Sequence, residues 1–229
     1  MTNLKKYMPK KQQTRRNIAI TVSLLPALAL YALFVIYPTF NVFRTSMYQW
    51  SGLSKQKTFI GFENFIRLFN DTKFWTALQN TIFLLIFCTA ITMILGLFFA
   101  AALTQSKLKE KNFYRVLFFF PNVLSIVVIG VLFSNIYEPN MGILNSLLRG
   151  IGLNHLAQPW LGSGKTVLWA IGVAMIWQAV GYYMVMYMAG MDGISPELYE
   201  AADIDGASKF VQFFKITIPM IWGILRVTL

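Results

Sequence analysis

Long runs of apolar residues alternate with short polar segments along this chain. A helix needs about 20 apolar residues to cross the hydrocarbon core of a bilayer, and four of the runs reach that length. Backbone groups in lipid must bond within a helix or a closed barrel, and a barrel strand needs only about ten residues. The pattern therefore predicts an all-α polytopic membrane protein with four spanning helices and the beginning of a fifth. The predicted spans cover 18–40, 76–103, 116–136, 166–191 and 218–229.

The polar segments between the runs carry nearly all of the charge. Residues 1–16 hold six lysines and arginines and no acid, and residues 104–115 hold four against Glu110 alone. Because basic residues concentrate in cytoplasmic loops, this distribution predicts a cytoplasmic N-terminus and places 192–217 in the cytoplasm as well. We divide the chain into a cytoplasmic basic tail, 1–16, and a transmembrane domain, 17–229.

The composition excludes several other classes of protein. The chain is 56% hydrophobic and 13% charged, whereas soluble domains carry about 25% charged residues. Its net charge of +11 does not indicate nucleic-acid binding, because the basic residues flank apolar runs instead of forming a patch. A single cysteine, Cys88, and a single histidine, His155, leave no disulfide framework and no histidine metal cluster.

Enzymatic chemistry has little basis in the sequence. Residues 162–166, GSGKT, look like the end of a phosphate-binding loop, but Pro159 stands where that loop needs its first glycine. Neither a nucleophile–base pair nor paired carboxylates fall in a plausible cleft. We therefore expect a transport protein and not an enzyme, with no catalytic residue, no metal site and no cofactor of its own.

The acidic residues concentrate in one polar segment, 192–217. Five of the nine carboxylates of the chain lie within fourteen residues of it: Asp192, Glu197, Glu200, Asp203 and Asp205. The residues alone leave two interpretations open. The segment is either a solvated loop that its charges keep out of the lipid, or a surface that the protein presents to a partner.

Local signals predict two short helices in this segment. Ser195 is a typical N-cap residue, and Pro196 suits the first position of a helix. Gly206 supplies the left-handed turn that ends this first helix, and a second short helix follows over 207–217. The prediction is a helix–turn–helix outside the membrane.

The spacing of residues within this segment follows a known motif. EAA at 200–202 is followed after three residues by Gly206, and after nine more by ITIP at 216–219. This pattern resembles the EAA loop of ABC-importer permeases, the membrane subunits that dock a separate ATPase. Ile218 is the one departure, since leucine is more usual at that position.

The resemblance covers essentially the whole chain and is to the sugar-importing, maltose-type branch of these permeases. The matching stretches are LPALALYALFVIYPTF (25–40), GFENFIRLF (61–69), FWTALQNT (74–81), FYRVLFFFPNVLS (113–125) and ISPELYEAADIDGAS (194–208). It implies a permease bundle with a core of six spans in a bacterial or archaeal plasma (inner) membrane. Because this chain carries four spans and the start of a fifth, we expect that it is truncated at its C-terminal end.

The resemblance also implies how such a protein works. The first helix of the EAA loop docks as a coupling helix in a cleft of the ATPase, where Glu200 faces an arginine. The docking residues that it implies are Leu198, Glu200, Ala201, Ala202, Asp205 and Gly206. The implied partners are a second homologous permease subunit, two cytoplasmic ATPase subunits that bind ATP and magnesium, an extracytoplasmic sugar-binding protein and membrane lipid.

A sugar path is implied on the span that precedes the EAA loop. Aligned with the maltose member through Trp177, the pocket positions fall on Met175, Gln178, Ala179 and Tyr182, which share one helical face. Gln178 and Tyr182 can bond hydroxyl groups, whereas Met175 stands where the maltose member has asparagine. Packing between helices remains the alternative role for these residues, and the identity of the sugar stays open.

Two other functions compete with a sugar importer. An ion-coupled secondary transporter or channel needs an acidic or basic group within its spans for coupling, and 76–103, 116–136 and 166–191 contain no carboxylate, lysine, arginine or histidine. A truncated fragment that does not transport is the other alternative. Retention of a partner ATPase by the intact chain distinguishes these possibilities.

Overall fold

The computed structural model describes residues 10–52, 56–105 and 110–228, so part of the predicted basic tail lies outside the described residues. The chain divides after Thr76 into two compact units, and each is considered by itself. Within the described ranges, three helices are long and apolar enough to cross a membrane, or up to five if each of two bent helix pairs counts as one span. The predicted fold class, an all-α polytopic membrane protein, is confirmed.

The first unit begins with a long helical stretch. Its parts are α1 (Lys10–Tyr31), a π-helical turn (Ala32–Ile36) and α2 (Tyr37–Thr45). The wide turn ends two residues before Pro38, and the Tyr37 amide donates to the Ala32 carbonyl oxygen, five residues back. Proline has no N–H and its ring crowds the carbonyl four residues earlier, so a locally wider turn lets the helix continue.

A short hairpin and a helix follow in the first unit. Strands β1 (Tyr48–Gln49) and β2 (Thr58–Phe59) pair antiparallel, and α3 covers Glu63–Phe69. The side-chain amide of Asn64 donates to the Ser46 and Tyr48 carbonyl oxygens at 2.8 and 3.1 Å, which ties α3 to the start of the hairpin.

The second unit is organised around α8. Its helices and helical turns are α4 (Thr72–Gln105, which contains the boundary between the units), α5 (Lys111–Val123), α6 (Ile126–Ile136), α7 (Ile143–Gly150), a 3-10 turn (Asn154–Leu156), α8 (Val167–Asp192), α9 (Pro196–Ile204), α10 (Lys209–Gln212), a π-helical turn (Phe213–Thr217), α11 (Ile218–Met220) and α12 (Trp222–Thr228). The buried core contains Ala100 of α4, Met184, Tyr187 and Met188 of α8, and Ile221.

Helices α5 and α8 approach each other very closely at Gly181. A Cβ atom at Gly181 would lie 1.8 Å from the carbonyl oxygen of Phe118 on α5. No side chain fits in that space, so only glycine permits this backbone contact. The residue type at position 181 therefore sets the distance between α5 and α8.

The third predicted span, 116–136, departs from a single straight helix. Helices α5 and α6 meet at 99°. Pro121 lies in the last turn of α5, and Leu124 and Ser125 have extended backbones that end the helical path. The Ser125 hydroxyl then accepts a hydrogen bond from the Val128 amide and caps α6. Sequence periodicity alone did not distinguish this bend from a continuous span.

The predicted boundary between the polar segment and the last apolar run, at residue 218, lies within continuous helical backbone. Helical backbone continues from Lys209 through the π-helical turn into α11, and the break comes at Ile221, where the axis bends by 69°. The wide turn again ends two residues before a proline, Pro219. The second short helix, predicted over 207–217, therefore begins at Lys209 and joins the apolar run.

Candidate functional site

The first helix of the 192–217 segment begins and ends where the sequence predicts. Helix α9 starts at Pro196 with Ser195 at the N-cap position, although the Ser195 hydroxyl makes no capping hydrogen bond. At the other end Gly206 has φ of +73°. The Ala207 amide donates to the Ala202 oxygen at 2.9 Å and the Gly206 amide to the Asp203 oxygen at 3.1 Å. These two hydrogen bonds terminate α9 in a tight turn.

Helix α9 presents most of the predicted docking residues to solvent. Leu198, Glu200, Ala201, Asp205 and Gly206 are exposed. Ala202 is half-buried, on the same side as Tyr199, and is therefore less available to a partner than the sequence indicated.

One apolar residue of this surface was missed by the sequence analysis. Ile204, the last residue of α9, is 87% exposed. The sequence already indicated that Ile204 is exposed, because this isoleucine is flanked by two aspartates in an otherwise polar stretch. We call Leu198, Glu200, Ala201 and Ile204 the outer face of α9.

The five carboxylates of the segment divide into two groups. Asp192 lies 3.5 Å from the Lys111 ammonium, and Asp203 lies 2.8 Å from that of Lys209. The other three, Glu197, Glu200 and Asp205, form no ion pair with another described residue. Glu200 therefore has a free carboxylate on the outer face of α9.

Asp203 points instead toward the helix that follows the turn. The Gln212 amide donates to its Oδ1 at 2.5 Å and to the Ala207 carbonyl oxygen at 2.9 Å, and Gln212 is only 1% exposed. Hydrogen bonds from Lys209 and then Gln212 hold the pKa of the Asp203 carboxyl below its ordinary value.

A second side-chain bond joins the same two helices. The hydroxyl groups of Tyr199 and Thr217 lie 2.9 Å apart, and Thr217 is 1% exposed. Between α9 and the following helix lies a cavity of about 420 Å³, and Glu200, Asp203 and Gln212 are among the residues that line it. Glu200 therefore lies at the border between the outer face of α9 and this cavity.

The predicted sugar-path residues on α8 do not all come together. Met175 and Gln178 line a cavity of about 430 Å³ between α6 and α8. Ala179 and Tyr182 are not among its lining residues. The Tyr182 ring instead packs edge-to-face on Tyr183, with 5.5 Å between the centroids.

Most other walls of the α6–α8 cavity were not predicted from the sequence. Helix α6 contributes Phe133 and Ser134, and Tyr137 follows directly after it. The Tyr137 hydroxyl donates to the Ala170 carbonyl oxygen at 3.0 Å, whereas the Gln178 amide makes no hydrogen bond with another described residue. Gln178 and Ser134 are therefore two polar side chains of this cavity with unused bonding capacity.

A family model described as "Binding-protein-dependent transport system inner membrane component" matches residues 92–228, more than half of the chain. The chain belongs to this family. The matched part of this permease contains α8, α9 and the helix after them, so it includes both candidate sites. The resemblance drawn from the EAA spacing is confirmed.

Relatives of this permease include transporters named for carbohydrates. The chain is 42% identical to the probable ABC transporter permease protein YurN of Bacillus subtilis, over 86% of this chain and 67% of that protein. It is 36% identical to the diacetylchitobiose uptake system permease protein NgcF of Streptomyces coelicolor, over 85% and 58%. It is 34% identical to the lactose transport system permease protein LacF of Rhizobium radiobacter, over 89% and 67%. The chain thus spans between about half and two thirds of these relatives' length.

Two solved structures share the fold of this permease. Both are chains of a bacterial ABC transporter described as importing the acidic polysaccharide alginate, one of them in complex with a periplasmic protein that binds an alginate pentasaccharide. The TM-scores are 0.76 and 0.80, at 24% identity over 94% and 95% of this chain and 72% and 73% of those chains. At this identity the likeness establishes the fold alone.

Proposed function

We propose that this chain is the membrane-spanning subunit of an ATP-driven, binding-protein-dependent sugar importer and that α9 docks its ATPase. The observation that carries the proposal is the outer face of α9, a closed helix with the EAA spacing and a free Glu200 carboxylate. Family membership and relatives named for diacetylchitobiose and lactose transport support it. Hydrolysis of ATP, with its magnesium ion, belongs to the separate ATPase subunits.

The outer face of α9 has the chemistry of a docking helix. Leu198 and Ile204 offer apolar anchors, and Ala201 lets another surface approach closely. Central apolar anchors supply much of the energy of interfaces. The Glu200 carboxylate can accept two parallel hydrogen bonds from an arginine, an arrangement about twice as strong as a neutral bond.

The proposed topology is that of a multi-pass inner-membrane protein with a cytoplasmic N-terminus. The lysines and arginines of 1–16 and 104–115 support this orientation. It places α9 on the cytoplasmic side, where an ATPase has access to nucleotide. A second homologous permease subunit and an extracytoplasmic sugar-binding protein complete the importer.

The sugar path is proposed to pass the α6–α8 cavity. Gln178 can bond a hydroxyl group, and Phe133 offers a ring for the apolar face of a sugar. The alternative of an ion-coupled transporter is not favoured, because α8 holds no charged residue before Asp192 at its end.

Uptake by the full-length importer in proteoliposomes tests the proposal. Sugar accumulation is expected only with ATP inside, the cognate binding protein outside and the ATPase present. Glu200→Ala is expected to abolish accumulation, whereas Glu110→Gln, at an exposed acid outside the 192–217 segment, leaves it unchanged. Accumulation driven by an ion gradient without ATP would overturn the proposal.

A further inference from the structure

We propose that Asp203, Lys209 and Gln212 form a positioning clamp that transmits the movement of α9 to the membrane helix behind it. The proposal rests on the function proposed above, in which α9 docks an ATPase. The clamp has a separate role from the outer face of α9, because it sets how far a docked partner can move the rest of the protein and does not set how tightly the partner binds.

Both polar atoms of the Gln212 side-chain amide have hydrogen-bond partners. Its nitrogen donates to Asp203 and to the Ala207 carbonyl oxygen, and its oxygen accepts from the Lys209 ammonium at 3.2 Å. The Lys209 ammonium also reaches both carboxylate oxygens of Asp203, at 2.8 and 3.0 Å. Each member therefore fixes the orientation of the other two.

Gln212 is the dominant member of the clamp. The ion pair between Asp203 and Lys209 is more than half exposed on both sides, and exposed ion pairs contribute little. Gln212 is buried, and a buried amide that bonds a carboxylate is costly to leave unpaired. We therefore expect a larger effect from removal of the Gln212 amide than from removal of the Lys209 charge.

A second attachment makes the two helices one rigid body. The Tyr199–Thr217 bond lies five residues beyond Gln212 along the second helix, at the end of the π-helical turn. A single attachment would allow α9 to rotate about it, whereas two separated attachments do not. Because helical backbone continues from Lys209 to Met220, the clamped unit ends only at the bend at Ile221.

The clamp also explains why Asp203 differs from the other acids of α9. Glu200 is left free for a partner, while Asp203 is held by the chain itself. Asp203 was not among the residues expected to dock. It shares α9 with the docking residues and acts through Gln212.

The test compares sugar transported per ATP hydrolysed in the purified full-length importer. Gln212→Leu and Asp203→Ala are expected to keep the ATPase bound and its hydrolysis rate near wild type, while transport per ATP falls about tenfold. The double variant should be no worse than either single one, because both remove the same bond. Asp203→Asn, which still accepts a bond from Gln212, should fall between these and wild type. Lys215→Gln, a change at an exposed lysine of the same helix that has no ion pair with a described residue, is the matched control.

Unchanged transport per ATP in Gln212→Leu and Asp203→Ala would overturn the clamp, and so would loss of the bound ATPase in both. If the wild-type importer bound no ATPase, the proposed function would fail first. In that case the clamp is tested by measuring amide hydrogen exchange over 196–208 in the permease. Gln212→Leu is expected to raise the exchange rate about tenfold, and Lys215→Gln is expected to leave it unchanged. Equal exchange in the two variants contradicts the clamp without reference to any ATPase.

Discussion

The Tyr199 and Thr217 hydroxyl groups lie 2.9 Å apart and join α9 to the helix that leads into the last apolar run. Thr217 is almost fully buried, so its hydroxyl has no easy access to water once Tyr199 is withdrawn. The two residues are eighteen positions apart and come from two helices separated by a tight turn. Their bond is one of the contacts that join the two helices of the polar segment.

Thr217→Val should lower the free energy of unfolding by about 1 kcal/mol, since it keeps the side-chain volume and removes one hydrogen bond. The thermal midpoint of the purified protein measures the loss. Tyr199→Phe is expected to cost a similar amount, and the two changes together no more than one alone. Fully additive losses would show that the two hydroxyl groups do not stabilise the protein through this bond.

Gly181→Ala is expected to destabilise the second unit, because the new Cβ would meet the Phe118 carbonyl oxygen and force α5 away from α8. Overpacking of this kind costs about 1–3 kcal/mol or more. Gly150→Ala is the control, since a Cβ at Gly150 meets nothing within 4 Å. A thermal midpoint of Gly181→Ala equal to that of Gly150→Ala would contradict the close helix contact.

Ile204→Ala should weaken ATPase binding with little effect on folding. Ile204 is 87% exposed, so its truncation removes few internal contacts, whereas burial of an isoleucine by a partner contributes about 1.5–3 kcal/mol. We expect the ATPase to dissociate at least tenfold more readily in a titration against the detergent-solubilised permease. Val227→Ala, at a residue that is 83% exposed on α12, should bind like wild type. Equal binding by both variants would remove Ile204 from the outer face of α9.

Gln178→Leu should lower sugar transport about tenfold while the importer assembles normally, because a site built to bond a hydroxyl group loses that bond. The expected change is a raised KM for the sugar delivered by its binding protein. Gln79→Leu, at an exposed glutamine outside the α6–α8 cavity, is the control. A normal KM in Gln178→Leu would leave this residue with a packing role only.

Much of the fold and of the docking segment could be predicted from local signals. The long apolar runs identify the helices, and Pro196 and Gly206 mark the two ends of α9 because their backbone constraints are local. The bend between α5 and α6 could not be predicted in this way. It depends on extended backbones at Leu124 and Ser125 within an apolar run, and proline is tolerated in many membrane helices.

The sugar path was the least predictable part, because a cavity is formed by residues from several elements. Met175 and Gln178 share a helical face with Ala179 and Tyr182, yet the position of α6 decides that only the first two line the α6–α8 cavity. The clamp could not be predicted from the sequence for the same reason, because its members come from two helices. Asp203 and Gln212 are nine residues apart, and only the turn at Gly206 brings them together.

The central claim, that α9 docks an ATPase, is tested most directly by site-specific cross-linking from single cysteines in a Cys88→Ser background. Ala201→Cys lies on the outer face of α9, and Met141→Cys, at a residue that is 88% exposed, lies in the segment between α6 and α7. With a short bifunctional reagent applied to the assembled importer, we predict a permease–ATPase product from Ala201→Cys and none from Met141→Cys. A product from Met141→Cys and none from Ala201→Cys would contradict both the docking surface and the proposed topology.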